Sequence, residues 1–204
     1  MPDGENAPPP ELIVGLGNPG AEYRDTRHNA GFWFAEALAR KFGASLENKT
    51  RFCGRIGRIT IGGRRLRLLL PGTWMNLSGD SVAATAAFYR IPVRAILVAH
   101  DEIDLAPGTV RLKRGGGVAG HNGLRHIVQR IGGGDARDFR RLRIGVGHPG
   151  NKDEVVSYVL HAPTADERTL IEGAIADAVT CMDTLAAGDC EGAMRKLHGG
   201  GRGV

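Results

Sequence analysis

The chain is short of several things. Its 204 residues contain three cysteines, Cys53, Cys181 and Cys190, with no C-x-x-C pair. An odd count without paired spacing excludes a disulfide framework and a thiolate zinc site, and fits a reducing compartment. Apolar residues make up 42% of the chain, yet no apolar run approaches the ~18–20 residues needed to span a bilayer. The first residues carry Asp3, Glu5 and Pro8 to Pro10, in place of the basic start and apolar stretch of a signal peptide. No internal repeat and no linker divide the sequence. These features predict a soluble, cytoplasmic, single-domain protein, with residues 1–10 as a disordered extension, 11–198 as the folded unit and 199–204 as a flexible tail.

What is present is positive charge, unevenly spread. The net charge is +5, and from Arg111 to Arg143 nine Lys or Arg face two acids. From Thr164 to His198, seven acids face three bases. A localised basic surface is what binding to a phosphate backbone requires, although a merely solvated face has the same composition.

Apolar runs at Glu11–Gly17, Ala95–His100 and Arg141–Gly147 read as buried strands. Phe52–Ile61 and Arg64–Leu70, joined by Gly62-Gly63, read as a hairpin, and Val110–Lys113 as an edge strand. Helical spacing marks Asn29–Phe42, Ser78–Tyr89, Gly123–Ile131, Ala165–Ala187 and Cys190–His198. Strands alternating with helices around one antiparallel hairpin predict an α/β domain, a twisted mixed sheet flanked by helices.

The run Gly15-Leu16-Gly17-Asn18-Pro19-Gly20 matches the G-x-G-x-x-G phosphate loop of dinucleotide enzymes. Its context does not fit. The helical pattern begins only near His28, Pro19 removes an amide from the loop, and Glu36 lies inside the helix instead of at a strand end. The glycines read better as a sharp turn at a strand's C-terminal end, where open α/β sheets place their ligand sites.

Polar residues gather after the predicted strands: Asn18, then Trp74-Met75-Asn76, His100-Asp101-Glu102 and His121-Asn122. Asparagine side chains both donate and accept, as recognition of a peptide backbone requires, though each taken singly also suits a turn. His28 alone would read as a capping or surface residue. A carboxylate such as Asp101 beside it would fix its tautomer and make it a base for water. No cluster has metal-ligand spacing and no G-x-S-x-G elbow is present, so the reading is no metal, no cofactor and no side-chain nucleophile.

Five blocks in order, Ile13–Phe32 (IVGLGNPGAEYRDTRHNAGF), Trp74–Gly79 (WMNLSG), Ile96–Leu105 (ILVAHDEIDL), Gly120–Leu124 (GHNGL) and Phe139–Gly150 (FRRLRIGVGHPG), resemble the bacterial peptidyl-tRNA hydrolases. The resemblance runs from about residue 11 to 198. It implies metal-independent hydrolysis of the ester joining a peptide to the 3′ ribose of tRNA, by a monomer with no membrane partner. It implies His28 as general base, Asp101 as its carboxylate, and Asn18 in positioning N-blocked substrate. It further implies Tyr23, Trp74, Asn76 and Asn122 along the channel, Met75 in its wall, and Lys113 and Arg143 on tRNA phosphate. Two departures stand out: the loop reads Gly117-Val118-Ala119-Gly120 where small or His residues are common, and Trp74 replaces a common Phe. A binder of RNA without hydrolysis, as in plant splicing relatives, is the alternative; it would not need Asn18, His28 and Asp101 together.

Overall fold

The computed structural model describes residues 8–199. Residues 1–7 of the expected extension and 200–204 of the expected tail lie outside them. Pro8 to Pro10 are described, and Pro10 is buried.

The strands are β1 (Leu12–Gly15), β2 (Glu47–Lys49), β3 (Gly54–Ile61), β4 (Arg64–Pro71), β5 (Ile96–Glu102), β6 (Val110–Arg114) and β7 (Arg140–Gly145). The helices are α1 (Ala30–Lys41), α2 (Ser78–Tyr89), α3 (Asn122–Ile131), α4 (Val155–Val159), α5 (Ala165–Ala186) and α6 (Cys190–Gly199). One sheet has the order β2-β3-β4-β1-β5-β7-β6. Its centre is parallel, from β4 through β1 and β5 to β7. The hairpin partners β2 and β3 on one side and β6 on the other run antiparallel. This is the expected mixed sheet, with β6 at an edge. Among the described residues no helix is long and apolar enough to cross a membrane.

Both sheet faces are covered, which explains why β1 and β5 are buried at every position. Ile13, Leu68 and Leu97 pack with α1, α5 and α6, while Leu12, Val14, Leu69 and Val98 pack with α2 and α3. Gly43, with φ +63°, ends α1, as the sequence suggests. Thr164 and Glu167 close a reciprocal capping box at the start of α5.

Three elements differ from expectation. Strand β2 is three exposed polar residues, recruited by pairing with β3 and not by hydrophobicity. Helix α4 is too short to carry a period. Strand β5 runs two residues beyond its apolar run, because Asp101 and Glu102 continue the ladder with Ile144 and Gly145 of β7. Asp101 is therefore in the strand, not after it.

The decisive contact is between α1 and the sheet. A Cβ at Gly31 would overlap the Ala99 carbonyl oxygen and the Leu16 backbone. A Cβ at Gly15 would overlap the Gly31 carbonyl, and one at Gly17 the Phe32 ring. The glycines of the phosphate-loop look-alike thus let a helix touch the strands. Gly31→Ala is expected to cost about 1–3 kcal/mol or more as an overpacking change. A lowered midpoint in chemical denaturation measures it, and an unshifted midpoint would contradict the contact.

Candidate active site

The close seating of α1 brings the turn before it, Arg27–Asn29, against the end of β5. Nδ1 of His28 lies 2.9 and 3.0 Å from the two carboxylate oxygens of Asp101. That separation matches a charge-assisted N–H···O bond, so the pair expected from sequence meets. Nε2 of His28 has no partner among the described residues, and the ring lines a cavity of about 420 Å³.

Asp101 serves a second imidazole. Nε2 of His121 lies 3.0 Å from Asp101 Oδ1, while Nδ1 of His121 accepts the Leu124 amide at 3.4 Å and caps α3. Accepting at Nδ1 leaves Nε2 as the protonated nitrogen, so His121 donates to the carboxylate. Sequence reasoning placed His121 among the polar residues gathered after the predicted strands but gave a role only to Asn122. Its position immediately before a helix was the available signal.

These groups set one another's charge. Burial alone would raise the Asp101 pKa, but the charges and hydrogen bonds of His28 and His121 hold it well below the carboxylate range. Burial alone would lower the His28 pKa, and the Asp101 charge and hydrogen bond outweigh it, so the net shift is upward from 6.5. His100, buried and packed edge-on to His121 at 5.0 Å, is pushed down to about 3 by burial and by the neighbouring His121. Its Nδ1 faces the Asp101 carbonyl at 2.7 Å. It is a neutral wedge, not an acid.

Asn18 is held rigidly. Its amide N–H donates to Asn29 Oδ1 at 2.8 Å, and Asn29 Nδ2 returns a bond to the Asn18 carbonyl at 3.0 Å. The Met75 amide donates to Asn18 Oδ1 at 2.8 Å. That fixes the side-chain oxygen and leaves Nδ2 for a ligand. Asn76, Asn122, Tyr23 and Trp74 line the same cavity. The Tyr23 and Trp74 rings meet edge to face at 5.5 Å, with Trp74 half exposed at the mouth. Met75 is buried in the wall, where a Cβ on Gly123 would strike its sulfur.

The opposite wall was not read from sequence. Val155, Val156, Val159 and Leu160 supply it, from α4 and the residue after it. Arg27, buried beside His28, holds that wall by donating to the carbonyls of Tyr158, His161 and Ala162 and to Glu167 at 2.8 Å. The loop over the cavity is knitted by Arg141, which donates to the carbonyls of Gly115 and Gly117. Ala119 sits there at φ +45°, a left-handed conformation unusual for a residue with a Cβ.

The basic stretch is smaller than its sequence implies. Arg140 and Arg141 are buried, Arg114 pairs with Asp138, and Arg130 pairs with Asp80. Arg143 is tied to Glu102 at 2.8 Å, so its charge is compensated. Lys113 is exposed beside the glycine loop, its amine within reach of Gly116.

The sequence showed no metal-ligand spacing, yet folding brings donor atoms of His28, Asp101 and His121 within 4.8 Å of one another. The same carboxylate receives hydrogen bonds from both rings, and an ion there would have to displace both ring protons. The arrangement serves proton transfer better than ligation.

The sequence profile described as peptidyl-tRNA hydrolase matches residues 12–202. The chain belongs to the peptidyl-tRNA hydrolase family. The peptidyl-tRNA hydrolases of Sodalis glossinidius and Halorhodospira halophila are each 54% identical to it, over 188 and 187 residues. Those alignments cover 92% of this chain and 96% and 95% of the relatives. The crystal structure of peptidyl-tRNA hydrolase from Acinetobacter baumannii superposes with a TM-score of 0.90 at 51% identity, covering 95% of this chain and 97% of that one.

Because the folded pKa of His28 is raised, the ring stays protonated to higher pH than a free histidine. NMR titration of the unliganded protein is expected to place its midpoint above 6.5. In Asp101→Asn, burial acts unopposed and the midpoint should fall below 6.5. A midpoint unmoved by that change would mean Asp101 does not govern the ring.

Proposed function

We propose that the chain hydrolyses the ester bond between a peptide and the 3′ ribose of tRNA, with His28 activating water. The observation that carries this is the His28–Asp101 bond, which leaves the opposite ring nitrogen without a partner among the described residues, in a cavity walled by asparagines. Nε2 takes a proton from water as the water oxygen attacks the ester carbonyl carbon. The bond from that carbon to the ribose oxygen then breaks. The imidazolium returns its proton to the departing ribose oxygen, which leaves as the hydroxyl, and the peptide leaves as a free acid. Asp101 stays ionised throughout and stabilises the imidazolium.

The fixed Nδ2 of Asn18, with Asn76 and Asn122, provides donors for the peptide carbonyls and for the developing oxyanion. Tyr23 and Trp74 offer flat faces for the nucleotide end, and Met75 shapes the wall between them. We place tRNA phosphate at Lys113 in preference to Arg143, because Glu102 already neutralises Arg143. The catalytic unit spans residues 11–198. Its state is that of the family resemblance, a monomer, and its place the cytoplasm, which the free thiols of Cys53, Cys181 and Cys190 suit. A pure RNA binder on this scaffold would have no use for a buried carboxylate holding two imidazoles beside a fixed amide.

The assay is release of peptide from N-blocked aminoacyl-tRNA in the presence of chelator. The unaltered chain should be fully active there. His28→Ala should lose ~10²–10⁴-fold in kcat, the span of general-base catalysis, with its unfolding transition retained. Full activity in a folded His28→Ala protein would overturn the mechanism. The acid limb of kcat/KM should lie above 6.5, because the base must be neutral. Lys113→Ala should raise KM with little change in kcat, and reduce the slope of log affinity against log salt by about 1.

A further inference from the structure

A second basic surface lies away from the cavity. From Asn48 to Gly79 the sequence has seven Lys or Arg and no Asp or Glu. In the β3–β4 ladder, Ile56 pairs with Leu69, Arg58 with Arg67, and Thr60 with Arg65. All six face the α2 side of the sheet. Helix α2 covers Ile56 and Leu69 through Val82 and Ala86, then ends at Tyr89. The next two rungs pass beyond the helix, and Arg58 and Arg65 open to solvent.

Two arginines directly opposite each other repel. Among the described residues, no carboxylate lies within ion-pair distance of Arg51, Arg58, Arg65 or Arg67. Among the described residues the one acid lining the groove beside them is Glu47, which pairs with Lys49 at 2.8 Å. Aromatic rings interleave with these cations. The Arg67 guanidinium lies 3.9 Å over Tyr89, and Arg51 lies 4.7 Å over the ring of Phe88, a residue that is 51% exposed. Lys49, Phe52, Arg58, Arg67 and Tyr89 line a groove of about 430 Å³.

We propose that this face is an RNA-binding surface distinct from the hydrolytic cavity. Guanidinium groups in a row match successive phosphates, and an exposed ring among them matches a base. An anionic lipid surface would meet the same charge, but the concave groove and the single protruding ring, Phe88, favour a strand over a membrane plane. The cavity opens near the start of α2 and the basic face lies beyond its end. Twelve helical residues separate them, roughly 18 Å at ~1.5 Å per residue. A tRNA 3′ end in the cavity therefore does not occupy this face, and the inference stands independently of the hydrolytic reading.

The test is fluorescence anisotropy of the full chain with a labelled RNA hairpin that has no single-stranded 3′ end, read across a salt series. Arg58→Gln with Arg65→Gln should weaken binding at least tenfold and flatten the salt slope by about two. Phe88→Ala should weaken binding and leave the slope unchanged. Arg40→Gln with Lys41→Gln removes the same charge from the end of α1, and should change affinity less than twofold. Turnover of a short N-blocked aminoacyl trinucleotide should be the same in the Arg58/Arg65 variant as in the unaltered chain. Unchanged hairpin affinity, an equal loss in the α1 control, or binding to phosphatidylserine vesicles without binding to the hairpin would each overturn the proposal.

Discussion

The site depends on how closely α1 lies against the sheet. Gly31 rests on the Ala99 carbonyl and the Leu16 backbone, and Gly15 leaves room for Gly31 in return. Side chains at these positions would push the helix outward. His28 sits in the turn feeding that helix and Asp101 near the end of the neighbouring strand, so an ångström of displacement there would break their bond. Glycines that imitate a phosphate loop thus act as spacers of zero thickness between a helix and the strands beneath it.

With α1 seated, one buried carboxylate organises the chemistry. Asp101 receives His28 and His121 and is held ionised by both, and its charge keeps His28 basic against the burial that would make it acidic. His100 cannot compete for the proton because its burial and the neighbouring His121 outweigh the pull of Asp101. Three histidines within a few ångströms therefore have three roles, separated by what each ring nitrogen meets. The surrounding polar groups are committed in the same manner. Asn29 locks the Asn18 backbone, the Met75 amide locks its side-chain oxygen, and Arg27 and Arg141 each spend their donors on loop carbonyls that shape the cavity.

Much of the frame was legible from sequence. The apolar runs of β1, β5 and β7, the spacing of α1, α2 and α5, and the Gly62-Gly63 hairpin signal identify a mixed α/β sheet because each reports burial along its own segment. Strand β2 and helix α4 left no such trace. One is polar and exists through pairing, and the other is too short to show a period. For the site, ordered blocks of family residues pointed to His28, Asp101 and Asn18. The apolar wall from α4 carries no chemistry that its sequence could announce.

The sequence by itself determined the secondary structure of the long elements, the family, and the residue types that the chemistry needs, because periodicity and local motifs are properties of consecutive residues. Only the tertiary structure decided which charges are available. Of nine cations between Arg111 and Arg143, several are buried or paired, and Lys113 is left exposed beside the cavity loop. The stretch from Lys49 to Arg67 read in sequence only as a hairpin, yet it forms an exposed basic face where two strands outrun the helix that covers them. Ion pairing and burial are relations between residues distant in the chain, and no local pattern encodes them.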